Sequence, residues 1–499
     1  MEWLLAIVIT VLLATVASLW LFLDKRRSYW RDRNFPCTGR SAMIYGDYKN
    51  WSRTEHLQEI NFRLYQEFKA RKLPVGGTML YIIPTVLVLD PELIKAIMVK
   101  DFANFHDRGI YNNPEVDPLS GHLFALEGAA WRLLRTKLSP TFTSGKMKMM
   151  FETILGVSDE LRKYLHEEMV QGAAELHMKD VLAGYTTDVI GTCAFGIECN
   201  SLRDPECDFR RIPKKLFEQS VGQMMWMIFL MMFKGVATKL KLKAMPDDLE
   251  GFFVRLVRGT IDHREKNNVQ RNDFMNLLIQ MKNSNNPEEK ITIDEITAQA
   301  LIFFIAGFET SSTVMVNCLY ELAQNQTIQD KLRKEIRQVC GEGKLTYDNV
   351  CGIEYLNMVV DETLRKYPPV DSLIRTSIKS YQIEDSDLKL PERTVIFIPI
   401  HAIHNDPQYY PDPERFDPER FTAENRAKRH PFVYLPFGEG PRNCIGMRFG
   451  LMQTRVGLIS ILREFRVKFG PNTPVPLKID IKSGIVSPLG GVPLLLEKL

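Results

Sequence analysis

Pro436-Phe437-Gly438-Glu439-Gly440-Pro441-Arg442-Asn443-Cys444-Ile445-Gly446 runs directly into an apolar helical pattern that begins at Met447. The glycines and prolines make the first part a turn, and the periodic apolar residues after it make a helix. Cys444 therefore stands where a helix starts. The positive end of the helix dipole and the free backbone N–H groups there favour a thiolate, the form in which sulfur ligates a metal. Gly440 and Gly446 remove side chains where a flat group must lie against backbone, Arg442 offers a fork of donors suited to a carboxylate, and Phe437 can pack beneath the sulfur. A lone cysteine in a glycine-rich turn is otherwise a small buried hydrophobe, so its surroundings decide the reading.

Upstream, Ala306-Gly307-Phe308-Glu309-Thr310-Ser311 interrupts the apolar helical run 301–305 with an acid and hydroxyls where burial is costly. Thr310 is placed to bond back to the carbonyl of Ala306 one turn earlier. Glu362-Thr363-Leu364-Arg365 sets an acid and a base at i and i+3 on one helix face, which alone means a modest exposed ion pair. Pro418-Glu419-Arg420-Phe421 follows it. Trp131-Arg132-Leu133-Leu134-Arg135 puts Trp131 and Arg135 on one face a turn apart.

Phe437, Gly440, Arg442, Cys444 and Gly446 match Phe-x-x-Gly-x-Arg-x-Cys-x-Gly at every fixed position, and the sequence resembles the cytochrome P450 family across essentially its whole length, with the motifs in order. In overall style it is most similar to insect microsomal members that oxidise plant toxins and insecticides. The resemblance implies a mainly α fold with small β-sheets, preceded by an N-terminal transmembrane helix. It implies haem b (iron protoporphyrin IX) with Cys444 as the iron ligand, and insertion of one atom of O₂ into a hydrophobic small molecule while the other leaves as water. Carried onto this sequence, Glu309 and Thr310 become the acid and hydroxyl of a proton relay, beside a helix loosened at Ala306 and Gly307 to admit dioxygen and water. Trp131, Arg135, Arg375 and Arg442 become donors to the haem propionates, with Ala306, Phe437 and Gly446 against the cofactor. Glu362, Arg365 and Arg420 become a buried charge triad that fixes the region presenting Cys444. One departure is visible: the Pro-rich hinge of the family is reduced to Phe35-Pro36-Cys37.

At 499 residues, 45% hydrophobic and 25% charged, the chain can bury a large core, and a net charge of +3 with no basic recognition helix argues against nucleic acid as a partner. Residues 3–23 carry no charge and end at Asp24-Lys25-Arg26-Arg27. That stretch spans about 30 Å as a helix, the thickness of a hydrocarbon core, and exceeds the apolar part of a cleaved signal peptide. The basic residues after it place the remainder on the cytosolic face. The expected organisation is a membrane anchor at 1–24, a basic linker and hinge at 25–45 and a haem-binding catalytic domain at 46–499, held at the endoplasmic reticulum membrane by a single pass. Eight cysteines without a C-x-x-C pair exclude a zinc or thioredoxin-like site.

Helical patterns are predicted at 91–98, 151–169, 247–267, 273–281, 293–324, 329–339, 354–367 and 447–463, with Thr292 and Glu295 forming a capping box on the longest. A strand pair is expected at 76–90 with a turn at Pro84-Thr85, and further strands at 394–400, 465–469 and 492–496. The Met-rich run 223–233 is too short to cross a bilayer and reads as a buried core helix, a flexible wall of an apolar pocket or a membrane-dipping surface. Pocket residues are expected within 108–124, the Met-rich run, Ala306, 370–374 and 485–489. No strand, dinucleotide glycine motif and helix occur together, and Gly341-Glu342-Gly343 reads as a loop, so electrons must come from another protein. The implied donor is NADPH-cytochrome P450 reductase, with cytochrome b5 as a second candidate. Arg132, Lys137, Lys146, Lys148 and Arg448 offer it a basic face, or are scattered surface charge. Two rivals stand beside a monooxygenase: a haem-thiolate isomerase or dehydratase acting on a peroxide, against which Glu309 and Thr310 argue, and a membrane-anchored haem sensor.

Overall fold

The computed structural model describes residues 1–39, 41–169, 172–214, 220–341 and 343–499; Arg40 of the linker and Glu342 of the 341–343 loop lie outside the described residues. The chain forms two compact units, residues 1–109 with 371–403 and residues 110–370 with 404–499.

The first unit opens with the apolar helix Glu2–Arg27, none of whose residues is buried. It runs past the uncharged stretch, so that Lys25, Arg26 and Arg27 occupy the last turn, where cations meet the negative end of the helix dipole. A four-stranded sheet follows, in the order Val75–Leu80, Ile83–Val88, Val395–Pro399, Ser372–Thr376. Thr78 pairs with Thr85 antiparallel, Val86 with Ile396 parallel and Ile374 with Phe397 antiparallel. The expected hairpin is present, but its turn falls at Tyr81, held at φ 55°, rather than at Pro84-Thr85. Pro84 instead sits at the start of the second strand, where a missing N–H is tolerated. Helix Leu57–Ala70 presses Phe68 against Gly76, whose absent Cβ would stand 2.3 Å from the Phe68 ring.

The second unit is built around the 32-residue helix Ile293–Gln324. Its start is closed by the predicted box: Glu295 N–H donates to Thr292 Oγ1 at 3.1 Å and Thr292 N–H to Glu295 Oε2 at 2.7 Å. The helix is long and apolar enough to cross a membrane, yet most of that apolar stretch is buried inside the protein, so it is a core helix. Helices Met178–Ile190 and Met447–Leu462 pack against it. Glycines permit the approach: a Cβ on Gly307 would lie 2.5 Å from Ile190 Cδ1, and one on Gly457 would lie 2.7 Å from Met315 Sδ and 2.9 Å from Tyr185 Cε1. A three-stranded antiparallel sheet, Ala173–His177, Pro493–Lys498 and Phe465–Phe469, completes the unit.

The helices at 144–168, 247–266, 274–282, 326–340, 354–366 and 447–462 match predicted ones to within a few residues, apart from the earlier starts of the first and fourth. Strand Ala173–His177 was not foreseen because it lacks β-branched and aromatic residues. Helix Met178–Ile190 was not foreseen because it is buried nearly all round and shows no polar face. The Met-rich run forms helix Val221–Met232, with Met224, Ile228 and Leu230 buried and Met225, Trp226 and Phe229 exposed. A wholly buried core helix is therefore not what forms. With the exposed Phe233, Val236 and Leu240 just after it, the segment presents an apolar surface.

Replacing Gly457 by valine forces two methyl groups into the Met315 and Tyr185 contacts and is expected to cost about 1–3 kcal/mol. A lowered denaturation midpoint at unchanged slope measures it, and an unaltered midpoint would show that these helices have room to part.

Candidate functional site: a presented thiol and the charges around it

The cysteine loop is shaped by backbone positions in the left-handed region that favours glycine: Gly438 and Gly440 sit at φ 68° and 74°. Gly438 N–H donates to Leu435 O at 3.0 Å, Asn443 N–H to Gly440 O at 3.0 Å and Cys444 N–H to Phe437 O at 2.9 Å. Phe437 thus fixes the cysteine backbone through its carbonyl. Gly446 caps helix Met447–Leu462, and a Cβ built on it meets no atom within 4 Å, so the space beside the cysteine is open. Of the eight cysteines Cys444 alone is exposed. The contrast is chemical. Burial pushes the Cys318 thiol up to about 12 and lifts Cys193 and Cys199 further, which keeps them protonated and inert, whereas Cys444 is offered at a helix start.

Three buried or half-buried groups surround that loop. Arg135, on helix Gly128–Leu138, donates from Nη1 to Asn443 O at 3.0 Å and from Nη2 to Asn443 Oδ1 at 2.8 Å. Burial pulls its pKa down, an effect that the nearby Cys444 sulfur partly opposes. Arg135, a propionate donor by the resemblance, also clamps the residue preceding the cysteine. Arg442 is buried, donates from Nη2 to Leu126 O at 2.6 Å and stacks 4.2 Å above the ring of buried Trp131. Trp131 thereby orients Arg442.

On the long helix, Thr310 Oγ1 donates to Ala306 O at 2.7 Å, the back-bond expected from the sequence. The helix nevertheless runs unbroken from Ile293 to Gln324. Ala306 is exposed, and Glu309 and Thr310 are half-buried. In the first unit, Arg375 is only 1% exposed. Its Nη1 donates to the carbonyl of Ile374 at 2.9 Å, Nε and Nη2 have no partner among the described residues, and burial presses its pKa down to about 10. A buried, under-bonded guanidinium calls for an anionic partner.

The Glu362–Arg365–Arg420 cluster forms as the resemblance implies. Arg365 Nε and Nη2 grip the two Glu362 oxygens at 2.7 and 3.0 Å, and Arg420 Nε lies 3.4 Å from Glu362 Oε1. Burial raises the Glu362 carboxyl above its ordinary range while Arg365 and Arg420 pull it down. The remaining donors of Arg365 reach His404 O at 2.9 Å and Pro413 O at 2.7 Å, and Asp417 N–H returns to Glu362 at 2.9 Å. His404 Nε2 then accepts from Leu435 N–H at 2.8 Å, which ties the charge cluster to the cysteine loop. Sequence reasoning missed His404, Asn443 and Leu126, because backbone partners leave no motif.

Within the second unit these residues fit a flat, anionic, thiolate-ligated macrocycle: an exposed sulfur, an open glycine beside it and the buried guanidinium of Arg442. The cytochrome P450 family model matches residues 39–493. The chain belongs to the cytochrome P450 family. Among its relatives, cytochrome P450 6a2 of Drosophila melanogaster is 43% identical over 99% of this chain and 100% of its own length. Probable cytochrome P450 6a14 of the same fly is 42% identical over 94% and 95%, and cytochrome P450 6A1 of Musca domestica is 43% identical over 94% of each. As a P450 the protein is a haem b monooxygenase that draws electrons from an NADPH-dependent reductase and acts on hydrophobic small molecules.

Replacing Glu362 by alanine leaves Arg365 buried and uncompensated and is expected to destabilise the P450 by about 3–5 kcal/mol. Thermal inactivation followed by absorbance reads it; a fully stable variant would show that the cluster does not hold the 404–435 region.

Proposed function

We propose that this P450 is a microsomal monooxygenase, catalysing RH + O₂ + NADPH + H⁺ → ROH + H₂O + NADP⁺ on lipophilic xenobiotics or endogenous lipophiles. The observation that carries the reading is Cys444, exposed on a loop braced by buried charge. When bound, the haem supplies O₂ activation, with thiolate donation to its iron favouring O–O cleavage. Cys444 is the ligand, Phe437 O holds its backbone, and Gly446 leaves room for the ring. Arg442, aligned by Trp131, and Arg375 neutralise the propionates, while Arg135 has a second duty in holding Asn443. Ala306 would lie against the bound group, and the Thr310 hydroxyl and Glu309 carboxyl would hold and pass the protons that the reaction consumes. That hydroxyl and acid favour a monooxygenase over a peroxide isomerase.

Residues 1–24 anchor the protein in the endoplasmic reticulum membrane, 25–45 link and 46–499 carry the catalytic domain on the cytosolic side. Glu2–Arg27, unburied along its length and basic at its end, supports this. The exposed Met225, Trp226, Phe229, Phe233, Val236 and Leu240 support the membrane-dipping reading of the Met-rich segment. Arg132, Lys146 and Arg448 form part of a basic face for the reductase and for cytochrome b5, to which Lys137 and Lys148 contribute less, being engaged by Lys290 O and Asp348.

Two experiments test the reading. The reduced protein with carbon monoxide is expected to show the far-shifted Soret band of sulfur ligation and Cys444→Ala to lose it; a band retained in the variant refutes the ligand. In membranes with reductase, Thr310→Ala is expected to divert reducing equivalents to hydrogen peroxide at the expense of product, and tight coupling in that variant would remove the relay.

A further inference from the structure

Gln453 lies two turns into helix Met447–Leu462 and is wholly buried. Its Nε2 donates to the carbonyl of Gly307 at 2.8 Å and to Ser311 Oγ at 2.6 Å, both on the neighbouring helix Ile293–Gln324. The carbonyl of Gly307 only accepts, so the orientation of the amide is set by chemistry. Its Oε1 has no partner among the described residues. The backbone carbonyl of Gln453 accepts from Tyr185 Oη at 3.3 Å, and Gly307 is backed by Ile190, so the amide is held on a braced helix against a braced turn.

The turn it touches is the one that carries Ala306, Glu309 and Thr310. There the Ala306 carbonyl takes Thr310 Oγ1 at 2.7 Å and the next carbonyl takes Gln453. Two successive carbonyls thus each receive a side-chain donor, one from within the helix and one from the helix that begins three residues after Cys444. Side-chain donors of this kind tilt carbonyls and bend helices locally. Glutamine does not titrate, so Gln453 is no source of protons; its contribution is geometric.

We infer that Gln453 is a positioning residue for proton delivery: its amide locks the Gly307–Ser311 turn to the helix that follows Cys444 and so sets where the Thr310 hydroxyl stands relative to the sulfur. The inference rests on the reading of Thr310 as the relay hydroxyl. Because Gly307 keeps its place in the helix ladder, an unbranched apolar replacement removes the two hydrogen bonds with little change of volume.

The test uses the full-length P450 in membranes with reductase, an alkoxycoumarin as probe, and measurement of NADPH consumed, peroxide released and product formed. Gln453→Met is expected to raise the peroxide-to-product ratio about fivefold, the weight of one net hydrogen bond, and to keep the sulfur-ligated Soret band. Ser311→Ala, which removes one of the two acceptors without touching helix Met447–Leu462, is expected to raise it less. Gln453→Met combined with Thr310→Ala is expected to be no worse than Thr310→Ala alone, since both act at one hydroxyl. An unchanged ratio in Gln453→Met, or additive losses in the double variant, overturns the inference while leaving the relay standing. Full coupling in Thr310→Ala overturns the relay instead. Loss of the Soret band in Gln453→Met would mean that the residue holds the thiolate, which also overturns it.

Discussion

A cysteine exposed just ahead of a helix, on a loop held by buried and half-buried groups, is the constraint on which the larger unit depends. Sulfur donates to iron only if it is ionised and open on one side, and it keeps its place only if the loop behind it cannot relax. The loop answers with glycines at positive φ and with N–H bonds to its own carbonyls. It is then braced twice, by Arg135 on Asn443 and by the run from Glu362 through Arg365 and His404 to Leu435. Each brace ends on backbone, so the geometry of the loop is imposed with few demands on its side chains.

The charges near the loop are arranged by burial as much as by pairing. Arg442 and Arg375 are both almost fully buried, and a guanidinium in such a place is costly unless an anion or several acceptors meet it. Glu362 illustrates the resolved case: three donors converge on its carboxylate, and the positive charge of Arg365 is spread over two further carbonyls. Arg375 is the contrasting case, its Nε and Nη2 without partners among the described residues.

The two helices that matter for the chemistry communicate through small residues and one amide. Gly307 and Gly457 let three helices close to contact distance, and Gln453 then crosses the gap. Such an approach is rigid because packed interiors have little room to deform. The turn carrying Ala306 and Thr310 is thereby tied to the helix that follows Cys444, and this gives a physical reason for Gln453 to be a glutamine inside an apolar helix.

Much of this was legible from residues alone. The cysteine motif, the capping box on Thr292, the long helices and the apolar anchor each follow from local chemistry: a glycine where φ is positive, a hydroxyl before a helix, an unbroken apolar run. Even the Thr310 back-bond is a one-turn relation that spacing predicts. What only the tertiary structure decided is which groups meet across distance: Arg135 on Asn443, His404 on Leu435 and Gln453 on Gly307. It also decided which face of the Met-rich helix stays exposed, and that Pro84 follows the hairpin turn instead of forming it. Local propensity and periodicity are written along the chain, whereas burial and hydrogen bonds to backbone depend on what packs opposite, and a backbone carbonyl looks the same in every residue.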